Sequence, residues 1–291
     1  MLSADLLANA VVAGILLGGF YAAVAIGLAI VFGQLDIVNI AHPAFIIVGA
    51  YIAYILNSRF GLDPVLIGLA AAPVFFLVGA LIYRIYFLAF ERTGQESLSG
   101  LAFFFGVMFI IEVVLILIYG VDYRLVQADY IGQTWSLGFV DFPLRMLVPF
   151  AVAAALTAGI HAYLSRTFMG RAIQAVAQDR LALQLMGADP VRIKQWAFGL
   201  GIATAAIAGS LLIVIGPVEP SVGRQYIGRV FAIVVLGGMG SIQGMFIAAL
   251  ILGVVESMVS TFVGPSWSPA VAFGVLALTL ALRPAGLFGR Q

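Results

Sequence analysis

RTFMGRAIQAVAQDRLALQLMGADPVRIK, residues 166–194, is the longest polar-rich interval in a chain of 291 residues that is 63% hydrophobic and only 9% charged. It holds five of the fourteen basic residues (Arg166, Arg171, Arg180, Arg192, Lys194) against two acids, Asp179 and Asp189. Apolar segments adjoin it on both sides. Its helix punctuation is dense. Gly170 precedes one short helical run, Arg171 to Ala177. Asp179 is placed to cap a second run, Arg180 to Met186, by accepting from the free N–H groups of its first turn. Gly187 supplies the left-handed residue that ends this run. Asp189-Pro190 restarts a third helix, with aspartate as N-cap and proline where its missing N–H costs nothing. The interval therefore reads as a folded elbow at a membrane surface. Leu181, Ala182, Leu185 and Met186 share one face of the second run. That face packs on the protein's own helices or on lipid, or it sits in a groove on another protein.

Around the elbow the chain is continuously apolar, with a mean hydropathy of +1.15. Its runs have the length of about 20 residues that a helix needs to cross the hydrocarbon of a bilayer. The expected fold class is an all-α polytopic membrane protein with eight to nine apolar segments, some of them short and interrupted. Residues 1–291 are read as a single transmembrane domain, with 166–194 as its elbow. The runs lack the alternation over about ten residues that marks a membrane β-barrel. The chain has no cysteine, so disulfides, thiolate metal sites and cysteine nucleophiles are excluded. Its two histidines, His42 and His161, leave little for a metal site. The single lysine, Lys194, is followed by Gln195, and no phosphate-binding loop is present. No catalytic triad or carboxylate pair stands out. A transport protein rather than an enzyme is expected, with no cofactor and no metal. The net charge of +1 points to no nucleic acid.

Taken in order, MLSADLLANA lacks the basic region of a cleavable signal peptide. A first span, about Leu6 to Phe32, ends in a polar break carrying Asn39, His42 and Pro43. A short segment to Asn57, a span to Phe90, and a span Leu101–Tyr119 follow. Gly132 and Gly138 flank Gln133–Leu137, consistent with a small β-hairpin before a fifth span, Leu144–Leu164. Beyond the elbow come a span from Gln195 to Ile215, the stop Gly216–Pro220, and Ile227–Val235, which is too short to cross alone. The glycine-rich run Gly237, Gly238, Gly240, Ser241, Gly244 leads to a span ending at Phe262, and a last span reaches Arg283. The breaks at Asn39–Pro43 and Gly237–Gly244 each follow one apolar segment and precede a span. Irregular backbone at membrane depth survives only where protein or water satisfies it, and transporters place such breaks at the solute path. Close helix packing is the alternative reading of the glycines.

If the elbow is cytoplasmic, its side also receives Arg84, Arg92, Arg283 and Arg290, nine basic residues against five (Arg59, Arg124, Arg145, Arg224, Arg229). The bias predicts the N-terminus outside and the C-terminus inside. Glu112 and Glu256 fall inside spans, each with no second acid or histidine a turn away. They are read as structural residues facing the bundle, and glutamine at either is expected to preserve uptake. A proton relay is the functional alternative.

Three motifs occur together. They are Gly27–Gly33 leading to Asp36-Ile37-Val38-Asn39-Ile40-Ala41-His42, then Gly170-Arg171-Ala172 through Asp179 to Leu185-Met186-Gly187, and Val235–Gly244 with Arg283-Pro284-Ala285-Gly286-Leu287-Phe288-Gly289 at the end. Over nearly its whole length the chain resembles the permease family of branched-chain amino acid ABC importers. It departs from that family's pattern at Pro43, where glycine is usual, and at Gln174, where arginine is frequent. The resemblance implies a solute path at Asn39, His42, Pro43, Gly237, Gly238, Gly240 and Ser241. It implies ATPase coupling at Gly170, Arg171, Asp179, Leu181, Leu185, Met186 and Gly187. Its implied partners are a second related permease subunit, two ATPase subunits that hydrolyse the ATP, a periplasmic solute-binding protein, and the lipid of a bacterial inner membrane. Relatives also serve urea, amides and amino-acid-like solutes. A proton-coupled secondary transporter and a passive small-solute channel are the competing readings.

Overall fold

Backbone in hydrocarbon must close its hydrogen bonds internally, and the apolar runs of this chain do so as helices. The computed structural model describes residues 4–93, 97–138, 140–283 and 285–289. Pro284 and Arg290, counted above, lie outside the described residues. The elements are α1 (Ala4–Leu35), α2 (His42–Phe60), α3 (Pro64–Ala89), α4 (Ser97–Tyr119), β1 (Thr134–Leu137), β2 (Val140–Pro143), α5 (Leu144–Arg166), α6 (Phe168–Gln178), α7 (Arg180–Leu185), α8 (Pro190–Ile215), α9 (Arg224–Gly237), α10 (Ile242–Phe262) and α11 (Ser268–Leu282). Among the described residues, eight helices are long and apolar enough to cross a membrane. With the shorter α9 the described residues hold nine apolar segments, within the eight to nine expected. The antiparallel hairpin β1–β2 forms where the glycines place it.

The two ends of the bundle can be told apart by side-chain contacts. At one end Gln34 Nε2 donates to Gly240 O at 2.9 Å, Lys194 pairs with Glu91, and His161 meets Gln243 at 3.2 Å. The elbow α6–α7 belongs to this end. At the other end Asn57 Nδ2 donates to Leu62 O and Gln127 O at 2.9 and 2.8 Å, and Asp141 N donates to Asn9 Oδ1 at 3.0 Å.

α1 and α8 are the buried axes of the fold. α1 packs chiefly on α10, and α8 on α3; the shorter helices cross over, α2 to α8 and α9 to α1. The trios α1–α2–α3 and α8–α9–α10 thus share one order of long, short and long helix. They enter from opposite ends, since α1 starts at the hairpin and α8 at the elbow. This is the inverted pairing of repeats seen in many transporters.

The α1–α10 contact is backbone to backbone. A Cβ on Gly18 would lie 2.6 Å from Leu250 Cα and 2.7 Å from Ala249 O, so one added methyl has nowhere to go. Small residues permit such approach in a membrane, where lipid supplies no hydrophobic drive between helices. Gly18→Ala is expected to destabilise the fold by about 1–3 kcal/mol through overpacking. A thermal melt of the detergent-solubilised protein checks this, and an unchanged melting point refutes it.

Candidate functional site

α1 serves as a depth ruler at 1.5 Å per residue. It ends at Leu35, and Asp36, with φ 57, turns the chain at the exposed surface. The chain then runs back inward beside α1. His42 Nε2 meets Val24 O at 3.2 Å, eleven residues before Leu35. α2 therefore begins about 16 Å inside the elbow end, near the middle of a hydrocarbon layer of about 30 Å. Asn39 Oδ1 accepts from Ala41 N at 3.1 Å and holds the approach to the helix, with Pro43 in its first turn. Asn39 and His42 are fully buried, and among the described residues Asn39 Nδ2 and His42 Nδ1 have no hydrogen-bond partner. A Cβ on Gly27 would meet the His42 ring, Gly201 O and Thr204 Oγ1. His42 is thus wedged between α1 and α8.

A second break at this depth was not anticipated. α8 stops at Ile215, and Val218 exchanges both backbone hydrogen bonds with Arg124 at the hairpin end, at 2.9 and 3.0 Å. Residues 219–223 then re-enter. A Cβ on Gly223 would lie 3.2 Å from Pro43 O and 3.0 Å from Ile47, so α9 starts against the start of α2. The sequence held a signal for this. Phe32-Gly33-Gln34-Leu35-Asp36 and Ile215-Gly216-Pro217-Val218-Glu219 share one pattern of apolar residue, glycine, any residue, Leu/Val and acid.

The glycine-rich run, by contrast, is a tight turn at the elbow end. Gly237 faces Met245 N, Gly238 (φ 90) abuts Gly289, and Gly240 (φ 87) approaches Gly33 O. Ser241 caps α10 by accepting from Gly244 N at 3.0 Å. Close backbone packing thus explains these glycines locally. Gly240, Ser241 and Gln243 also line a cavity of about 380 Å³ with Gly33, Gln34 and His161.

Glu112 and Glu256 each find a cation on α9. Arg224 and Arg229 are therefore not loop residues, as the charge count had placed them. Arg229 Nη2 lies 2.7 Å from Glu256 Oε1, and its Nε lies 3.1 and 3.3 Å from the two carboxylate oxygens. Tyr21 donates its hydroxyl to Glu256 Oε2 at 2.9 Å, and the guanidinium stands 5.7 Å from the Tyr226 ring centre. Both side chains are buried, at 12% and 4% exposure. Arg224 Nη2 lies 2.7 Å from Glu112 Oε1, with 60% of Arg224 exposed and 9% of Glu112. The absence of a local partner in sequence did not mean absence of a partner, because the partner comes from another helix.

The elbow folds as its punctuation predicts, with small shifts. α6 begins at Phe168, capped by Thr167, and buried Gly170 lets it lie against Tyr163 and Leu164. Exposed Arg171 follows Gly170. Asp179 Oδ1 accepts from Leu181 N and Ala182 N, each at 2.9 Å. α7 ends at Leu185, with Met186 as C-cap and Gly187 at φ 81. Leu183, not singled out from the sequence, is the one buried leucine of α7 and pins it to the bundle. Leu181, Leu185 and Met186 are 66%, 81% and 74% exposed. The apolar face therefore does not pack on the protein's own described helices.

Two helices that start beside each other inside an inverted-repeat bundle, above a surface elbow, define a membrane permease subunit. The chain matches the family model described as "Branched-chain amino acid transport system / permease component" over residues 10–280, and it belongs to that family. It is 30% identical to the high-affinity branched-chain amino acid transport system permease protein BraD of Pseudomonas aeruginosa, over 95% of this chain and 94% of that one. It is 29% identical to LivH of Salmonella typhimurium, at the same coverages. It is also 29% identical to LivM of Escherichia coli, over 92% of this chain and 67% of that one. PsaBC from Streptococcus pneumoniae, solved in complex with Fab, shares the fold at a TM-score of 0.51 and 15% identity, over 96% of this chain and 92% of that chain.

Proposed function

We propose that this chain is one of two permease subunits of an ATP-driven importer that carries branched-chain amino acids or closely related solutes across the bacterial inner membrane. A related second permease completes the path; the likeness to both LivH and LivM supports a pair of this kind. A periplasmic binding protein delivers the solute, and two ATPase subunits grip the elbows. The observation that carries the ATP-driven reading is α7, a helix capped at both ends and anchored by Leu183 that turns Leu181, Leu185 and Met186 outward. A helix this short is not stable in water alone, so the exposed face belongs on a partner. Because Arg224 and Arg229 stand on α9 inside the bundle, the side opposite the elbow keeps Arg59, Arg124 and Arg145 for the loop count. That strengthens the assignment of the elbow to the cytoplasm, with the N-terminus outside and the C-terminus inside.

The solute enters where α2 and α9 begin and leaves through the cavity at Gly240 and Ser241. Asn39, His42 and Pro43 shape the first half of this path and Gly237 and Gly238 the second. Neither carboxylate suits a proton relay, since each is held by an arginine. The test is to purify the chain with its co-encoded subunits. ATP-dependent uptake of branched-chain amino acids supports the proposal, and proton-driven or gradient-only flux through this chain alone overturns it. Asn39→Ala and His42→Ala, which release the contacts to Ala41 N and Val24 O, are expected to lower uptake in vesicles without loss of assembly. Normal transport by both variants would remove these residues from the path.

A further inference from the structure

The two ion pairs of α9 differ in kind. Arg229–Glu256 is closed: several hydrogen bonds join the two groups, Tyr21 takes the second carboxylate oxygen, and Gln225 O accepts from Arg229 Nη1 at 3.1 Å. Arg224–Glu112 is open. Among the described residues one hydrogen bond joins them, and neither side chain has another. A guanidinium carries five N–H donors, so most of those on Arg224 are free. The group is 60% exposed, yet it stands at the first residue of a half-helix that starts beside Pro43, near mid-depth. A cation facing lipid there is strongly disfavoured, so the exposed side of Arg224 needs a polar partner; the space beside the pair, lined by Ile47, Met108, Ile111, Leu115 and Gly223, is small and apolar, and a solute enters it only by parting the pair.

We propose that Arg224 and Glu112 form the point in the path that recognises a zwitterionic α-amino acid. The Arg224 fork receives the carboxylate and Glu112 receives the ammonium, and the solute replaces the single bond that joins them. This rests on the permease reading above and assigns the residues that select the solute. Arg–carboxylate geometry favours a two-bonded contact that lysine cannot copy.

The test uses the full complex, in proteoliposomes with its binding protein, and radiolabelled leucine, isoleucine and valine. Arg224→Gln is expected to lower the maximal uptake rate about tenfold or more, the loss of charge-assisted hydrogen bonds. The half-saturating concentration stays unchanged, because the binding protein sets it. Arg224→Lys should recover only part of the rate. The deciding variant is the swap Arg224→Glu with Glu112→Arg, which keeps an ion pair but misplaces both charges for the solute. Normal co-purification with uptake still lost supports the proposal. Full recovery of uptake by the swap shows a structural pair and overturns it, as does an unchanged rate in Arg224→Gln, or a loss traced to failed assembly with the second permease. Absence of uptake by the wild-type complex overturns the underlying permease reading, and this proposal with it.

Discussion

Leu185→Glu is expected to abolish ATP-driven uptake while leaving membrane insertion intact. Leu185 and Leu181 are the large apolar groups that α7 turns away from the bundle, and Leu183 points the other way into it. Burying each exposed leucine against a partner contributes roughly 1.5–3 kcal/mol, so for the proposed ATPase partner the loss of one is expected to weaken binding by roughly 10- to 150-fold. A glutamate adds the cost of burying a charge. The ends of α7 are fixed by Asp179 and by Gly187, whose φ is 81. A partner that grips the helix therefore moves α6 and α8 with it. Gly187→Val should act similarly by another route, because a β-branched residue resists that backbone conformation. The measurements are co-purification of the ATPase and uptake by reconstituted vesicles. Wild-type values of both for Leu185→Glu would place the apolar face on lipid.

Glu256→Gln is expected to cost roughly 3–5 kcal/mol, because it leaves the Arg229 guanidinium buried without its carboxylate. The sequence reading, that Glu256 is structural and that glutamine there preserves uptake, did not address this stability cost. That reading saw no local partner, whereas the partner stands on α9, 27 residues earlier in the chain. Replacing both members with apolar residues, Arg229→Met with Glu256→Leu, should recover much of the lost stability, since no unpaired charge remains. Thermal unfolding of the purified protein and its yield in the membrane fraction measure both outcomes. A single glutamine variant as stable as wild type would mean that the pair contributes little and that Arg229 is satisfied by Tyr21, Tyr226 and Gln225 alone.

Most elements were legible because each rests on local chemistry. Spans follow from apolar runs of sufficient length. The elbow follows from Asp179, Gly187 and Asp189-Pro190, whose capping acts within a few residues, and the hairpin from Gly132 and Gly138. The shift of α6 back to Phe168 follows from Thr167, a capping residue passed over in favour of Gly170. The site was less legible. Asn39 and His42 were singled out, but the burial of His42 between α1 and α8 depends on Val24, Gly27 and Thr204, which lie far away in sequence. Gly237–Gly244 drew attention as a break, whereas the mid-depth partner of Asn39–Pro43 is the segment 216–223. Composition could not rank the two, since both are rich in glycine or proline.

The sequence alone determined the class, the order of the apolar segments, the caps Asp179, Gly187 and Asp189 of the elbow and the lack of an ATP-binding loop. Those properties depend on hydrophobicity, capping and motif chemistry, and none of them needs a distant residue. Only the tertiary structure decided which helices start inside the membrane, which arginine answers which glutamate, and which leucine of α7 is anchored rather than offered. The packing of α9 against α2, α4 and α10 brings Gly223 to Pro43, Arg224 to Glu112 and Arg229 to Glu256. Each of these contacts joins residues separated by tens to hundreds of positions. Their energies come from desolvation and charge pairing between helices, which no local pattern in the chain records.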